Sequence, residues 1–264
     1  MTEARVPAGP DGAAHPPGTP CWVSLMVHRM TATQEFYGAL FGWEFRPGPR
    51  QLGPYVRAML DGREVAGIGQ LPPDRHLPVA WTPYLASDDA DHTAELVRHC
   101  GGTVGVGPLE AAGSGRLAIA SDPSGAVFGI WERAAHRGAA VTDAPGAPAW
   151  HELRTRDTPG VAKFYRTVFG YEDTPADVTG PGHVTLRLKG RPVAGIHGVG
   201  DALPRNRGAH WLTYFGVTDT DKAVTRVSEL GGRLVEPAHD TAHGRVATVA
   251  DPEGAVFSLV HGVG

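Results

Sequence analysis

The chain has 264 residues, enough for two cores of ordinary domain size, and carries a formal charge of −4 with a pI near 6.3. That balance excludes the basic footprint of a nucleic-acid-binding protein. No apolar run reaches the length of a membrane span, and the N-terminus lacks the order of a signal peptide, so a cytoplasmic location is expected with no membrane partner.

Residues 1–19 are rich in Pro, Gly and Ala with little to bury and read as a disordered leader. A β-rich run follows from Trp22 to Val27. A helix is then expected over Thr31–Leu40, with Phe36, Leu40 and Phe41 at helical spacing and Gly42 to end it. Strands are expected near Trp43–Phe45, Tyr55–Leu60 and Glu64–Gln70, the last two joined at Asp61-Gly62, a hairpin turn signal. The same βαβββ order recurs as strand Ala80–Ala86, helix Asp91–Cys100 and strands Thr103–Val106, Arg116–Ser121 and Ala126–Glu132, with Asp122-Pro123-Ser124-Gly125 as the last turn. Cys21 and Cys100 have neither disulfide nor metal spacing and read as incidental thiols.

The second half repeats the first. Trp22 and Trp150, Phe36 and Phe164, and Gly42 and Gly170 are each 128 positions apart, which marks a tandem duplication. After an Ala/Gly/Pro linker the pattern runs as a strand from Trp150, helix Pro159–Phe169 capped by Asp157 or Thr158, and strands Tyr171–Thr174, His183–Lys189 and Pro192–Val199. A strand His210–Val217, a helix Asp221–Leu230 and strands ending at Ala255–His261 complete it, with Asp251-Pro252-Glu253-Gly254 repeating the earlier turn. The expected organisation is therefore a first domain over 20–133, a linker over 134–146 and a second domain over 147–264. Pairing of the four βαβββ units within each domain or exchanged between domains stays open, as does a monomer or a homodimer.

Phe-Tyr…Phe-Gly in the first helix and Asp-Pro-x-Gly before the last strand, in this order in both halves, resemble the vicinal oxygen chelate superfamily of glyoxalases, bleomycin-resistance proteins and extradiol dioxygenases. Within it, the chain resembles the two-domain glyoxalase-like proteins of actinobacteria. The resemblance implies an α+β fold of two tandem domains, each a curved sheet forming a cup with its helices outside. It also implies a divalent metal held by His, Glu or Gln at three strand positions. Carried onto this chain, those positions are Trp22, Thr82 and Gly129, then Trp150, Leu212 and Ser258, and none offers an imidazole or a carboxylate. No metal and no cofactor is expected.

Strand alternation sorts the remaining side chains. With Leu25 and Leu153 toward the helices, the first cup is lined by Trp22, Met26, Tyr55, Met59, Tyr84 and Trp131, with Ser24 and Arg57 as polar points. That lining suits a flat aromatic ligand. The second cup gathers Glu152, Arg154, His183, Arg187, His197 and Tyr214, with Trp150 and Ser258. A carboxylate beside imidazoles is what acid–base chemistry requires, so Glu152, His183, His197 and Tyr214 are the catalytic candidates and the others ligand-binding candidates. Against this stand an ion-pair network closing a disused cup and solvated histidines. Three functions follow: a binder of a small aromatic or polycyclic metabolite in antibiotic biosynthesis or self-resistance; a metal-independent lyase, isomerase, cyclase or assisting oxygenase; and, disfavoured by the six positions, a metal-dependent glyoxalase or dioxygenase.

Overall fold

Helix ends are fixed by side chains visible in the chain. In the computed structural model, helix α1 (Met30–Phe41) stops at Gly42, which adopts a left-handed φ of 74° open chiefly to glycine. Helix α3 (Thr158–Phe169) stops in the same way at Gly170, and at its start Asp157 accepts the Gly160 N–H ahead of a first-turn proline. Asp89 and Asp219 cap α2 (Ala90–His99) and α4 (Thr220–Glu229) by accepting from the N–H groups of His92 and Lys222. Helix α1 has no cap of its own, and the Glu253 carboxylate takes that place, accepting from the N–H groups of His28 and Arg29 at 2.9 Å each.

The structure describes residues 15–49, 53–74, 77–111, 113–134, 138–139, 141–142, 144–172, 182–204, 207–241 and 244–262. The expected leader lies mostly outside them, as do residues 173–174 of the strand expected at Tyr171–Thr174.

The first half forms strands β1 (Pro20–Val27), β2 (Glu44–Pro47), β3 (Tyr55–Leu60), β4 (Arg63–Gln70), β5 (Trp81–Ser87), β6 (Thr103–Glu110), β7 (Gly115–Ser121) and β8 (Val127–Arg133), in the sheet order β2-β3-β4-β1-β5-β8-β7-β6. The second half forms β9 (Pro148–Thr155), β10 (His183–Leu188), β11 (Arg191–Gly198), β12 (His210–Gly216), β13 (Arg233–Thr241), β14 (Gly244–Ala250) and β15 (Val256–His261), ordered β10-β11-β9-β12-β15-β14-β13. The two orders repeat one another except at β2. Even there the Glu172 N–H donates to the Arg187 carbonyl at 3.0 Å, as the equivalent Glu44 pairs with Met59.

Packing divides the chain differently from its halves. One compact unit combines residues 22–81, 138–150 and 212–264; the other combines those up to Cys21 with 82–137 and 151–211. The alternative left open by the sequence is thus settled for the helical cores: the first βαβββ unit packs with the fourth, and the second with the third. In the former, Tyr37 and Phe41 of α1 meet Phe215 and Phe257, with Phe36 in the same cluster. In the latter, Phe164, Tyr165 and Phe169 of α3 meet Phe128. The aromatic stripes are therefore helix-to-sheet packing.

The same tie appears in each unit. Trp81 Nε1 donates to the Tyr37 hydroxyl, which donates to Asp251 Oδ2, both at 3.0 Å. In the other unit Trp211 Nε1 donates to the Tyr165 hydroxyl at 3.0 Å, and that hydroxyl donates to Asp122 Oδ2 at 3.3 Å. Both aspartates open Asp-Pro-x-Gly turns, and their Oδ1 atoms accept two backbone N–H groups of the turn. Burial raises the pKa of both carboxyls above the ordinary aspartate value.

Candidate functional site

Leu25 and Leu153 are fully buried against the helices, so the alternation read from the sequence places the opposite faces of β1 and β9 as expected. The richest set of polar groups lies on β9, β10 and β11. Glu152 stands opposite Gly195 across the parallel β9/β11 pair, and Arg154 stands opposite His197. Glycine at 195 carries no side chain beside the Glu152 carboxylate. His197 in turn stands opposite His183 across the antiparallel β10/β11 hairpin.

These registers bring three of the four catalytic candidates together. The His183 and His197 rings stack with centroids 3.7 Å apart and planes 24° from parallel. Glu152 Oε1 lies 3.6 Å from His197 Nδ1 and 3.5 Å from Arg154 Nε. One donor atom from each of Glu152, His183 and His197 fits within a mutual spread of 4.8 Å. The Glu152 side chain is 13 % exposed and that of Arg154 16 %, a setting in which charge interactions are only partly screened. Arg187 sits at the hairpin end, where Nη1 donates to the Gly190 carbonyl at 3.2 Å. His151, on the other face of β9, is buried, and burial pushes its pKa down to about 4.

The fourth candidate, Tyr214, lies in the other compact unit. There it joins Leu212, Val246 and Val260 in an apolar cluster, with Trp150 packed against it. Ser258 is fully buried, and its hydroxyl bonds that of Thr248 at 3.1 Å; Thr248 is also held by Glu236.

In that same unit β1, β3 and β4 carry an aromatic patch. Trp22 Nε1 donates to the Tyr55 hydroxyl at 3.1 Å. Tyr55 lies flat over Gly67, where an added Cβ would collide with its hydroxyl. Met26, which is 40 % exposed, lies across Gly69, where a Cβ would come 2.6 Å from its sulfur. Ser24 and Met59 are buried. Arg57 is paired with Glu64 at 2.7 Å, a partner the sequence analysis did not single out, because a β-bulge at Val65 shifts Glu64 opposite Met59. In the other unit the Tyr84 ring lies over Gly129, and Trp131 is buried near Gly115.

The metal that the resemblance implies does not fit at the family's positions. Tyr84 fills the space a side chain at 129 would need. Trp22 spends its N–H on Tyr55. Trp150 and Leu212 belong to an apolar cluster, and the Ser258 hydroxyl is bonded to Thr248. No donor set of the kind a divalent cation takes is present there.

Similar proteins agree with this fold. A family described as a glyoxalase-like domain matches residues 150–260. The anthracycline biosynthesis protein DauV of Streptomyces sp. strain C5 is 37 % identical over 92 % of this chain and 93 % of its own length. The putative glyoxylase CFP32 of Mycobacterium tuberculosis is 34 % identical over 92 % and 94 %. Among solved structures, the Mn(II)-bound glyoxalase from Novosphingobium aromaticivorans superposes with a TM-score of 0.65 at 17 % identity, covering 94 % of this chain and 84 % of its own. The 2,3-dioxygenase LapB from Pseudomonas sp. KL28 gives 0.63 at 15 % identity, covering 94 % of each. These two share the α+β architecture of tandem βαβββ domains.

Proposed function

Because the chain belongs to the glyoxalase-like family, and is similar over most of its length to anthracycline biosynthesis proteins, we propose that it binds a small aromatic or polycyclic metabolite of antibiotic biosynthesis or self-resistance. It does so without a metal at the positions its family uses, in the cytoplasm, as a monomer or homodimer. The observation that carries this reading is the patch in which Tyr55, held by the N–H of the buried Trp22, and Met26 lie over Gly67 and Gly69. A strand face cleared of Cβ atoms and covered by rings offers stacking area at low entropic cost. The relatives' names point to the ligand class, since an anthracycline skeleton is a flat set of fused rings.

No helix among the described residues is long and apolar enough to cross a membrane. The test is a titration of tryptophan fluorescence with an anthracycline-type polyketide in the presence of a chelator. Saturable quenching is expected, and Trp22→Ala should weaken it about tenfold, or ~1.4 kcal/mol. A linear, unsaturable response from the intact protein would sink the reading.

A second reading, metal-independent acid–base catalysis, is favoured by Glu152 and His197 at 3.6 Å. Glu152→Gln would then keep ligand affinity while turnover falls about 10²–10⁴-fold. Unchanged turnover would leave the protein a binder.

A further inference from the structure

We propose that Glu152, His183 and His197 form a binding site for one divalent transition-metal ion, at a place distinct from the family's metal positions. The proposal goes beyond the ligand-binding reading, and its test uses metal alone, so either can fail without the other.

The three residues come from three neighbouring strands, β9, β10 and β11, and their donor atoms already lie within 4.8 Å of one another. Two imidazoles and one carboxylate suit zinc, nickel, cobalt or ferrous iron, whereas calcium and magnesium prefer all-oxygen sets. Metal–ligand bonds of about 2.0–2.1 Å put donor atoms about 3.4 Å apart. The site is therefore open by no more than about an ångström and a half, within reach of small side-chain rotations. The rings must also fan out from their 24° stack, so that both in-plane lone pairs meet at one point. The torsion that does this, χ2 of histidine, is broad and soft.

Arg154 Nε stands 3.5 Å from Glu152 Oε1, and a carboxylate has about four lone-pair positions on two oxygens. A charged neighbour beside a ligating carboxylate acts as the outer partner that orients it. The backbone around the site is paired strand rather than loop, so the ligands stand on a rigid base. Three protein ligands leave further coordination positions for water or for oxygen atoms of a bound molecule.

The experiment titrates the metal-stripped, full-length protein with Co²⁺, read by its visible d–d absorption and by calorimetry. One Co²⁺ per chain is expected, with His183→Ala and His197→Ala each lowering affinity at least tenfold while their unfolding midpoints without metal stay near that of the parent. His239→Ala, at an exposed site on another strand, should bind as the parent does. His197→Cys should retain binding and add a thiolate-to-cobalt charge-transfer band, a result that does not depend on loss of function. Stoichiometry well below one, or Co²⁺ affinity indifferent to both histidine-to-alanine changes, would overturn the proposal. So would a His197→Cys protein that binds Co²⁺ without the thiolate band.

Discussion

Replacing Tyr37 by Phe tests the exchanged packing at one atom. The hydroxyl is fully buried, accepts from Trp81 Nε1 at 3.0 Å and donates to Asp251 Oδ2 at 3.0 Å. Removing it strands a buried indole N–H, at about 1–3 kcal/mol, and takes one hydrogen bond from a carboxyl group, worth about 1.5–3 kcal/mol if charged. Because Asp251 keeps its two turn N–H groups on Oδ1, the sum is discounted to about 2–4 kcal/mol. With a urea slope of about 2 kcal/mol/M, the unfolding midpoint of the unit containing Tyr37 should fall by about 1–2 M. The sharper measurement is a double-mutant cycle. Tyr37→Phe with Asp251→Asn should couple by about 1 kcal/mol or more, since the two share a bond, whereas Tyr37→Phe with Asp122→Asn should add within about 0.5 kcal/mol. If the helices instead packed within each chain half, Tyr37 would couple to Asp122. That outcome, or additivity with Asp251, refutes the reasoning.

Three further outcomes are expected. Asp122 and Asp251 have raised pKa values through burial, so the native state holds their protons more tightly than the unfolded chain; their contribution is full below the ordinary value of 3.8 and is lost as pH rises through the raised values. The stability lost on Asp251→Asn in urea unfolding should be larger below that acid window than above it, and a loss independent of pH would remove this carboxyl from the account. Gly67→Ala should drive Tyr55 from its place and break the Trp22 bond, costing about 1–3 kcal/mol of stability and weakening the polyketide titration; retained affinity would show that the patch is not the binding face. Glu253→Ala should cost about 1 kcal/mol, because α1 has no other side-chain cap, while the equivalent Ser124→Ala should cost less because α3 is capped by its own Asp157. Equal losses in a thermal-unfolding comparison would contradict that division.

The repeated elements were legible because each is marked locally. Gly42 and Gly170 end helices, Asp157 starts one, and Asp-Pro-x-Gly closes two turns through its own side chain. Which unit packs on which was not legible. Tyr37 and Tyr165 each follow a Phe and stand four residues before a Phe-Gly pair, and the aspartate each one finds is set by tertiary packing alone.

Alternation gave the inward faces of β9 and β10 but could not show that the inward groups converge. The reason is the β-bulge at Val193, which lets the hairpin pair Arg187 with Pro192 and yet Leu186 with Ala194. Were Val193 paired in regular register instead of bulged, His183 would stand opposite Ile196, which is fully buried among the helix-facing side chains, and the two imidazoles would lie on different faces. The first half carries the same bulge at Val65, but there the residues equivalent to His183 and His197 are Tyr55 and Gly69, and the ring lies over bare backbone instead of a second imidazole. One irregularity inherited by both halves has thus been filled in two ways, by an aromatic lid over glycine and by a histidine stack beside a glutamate. Deleting Val193 should therefore leave a regular hairpin with His183 still opposite His197, and Co²⁺ binding should survive. Loss of binding in a folded deletion variant would show that the bulge itself, and not the cross-strand register, assembles the site.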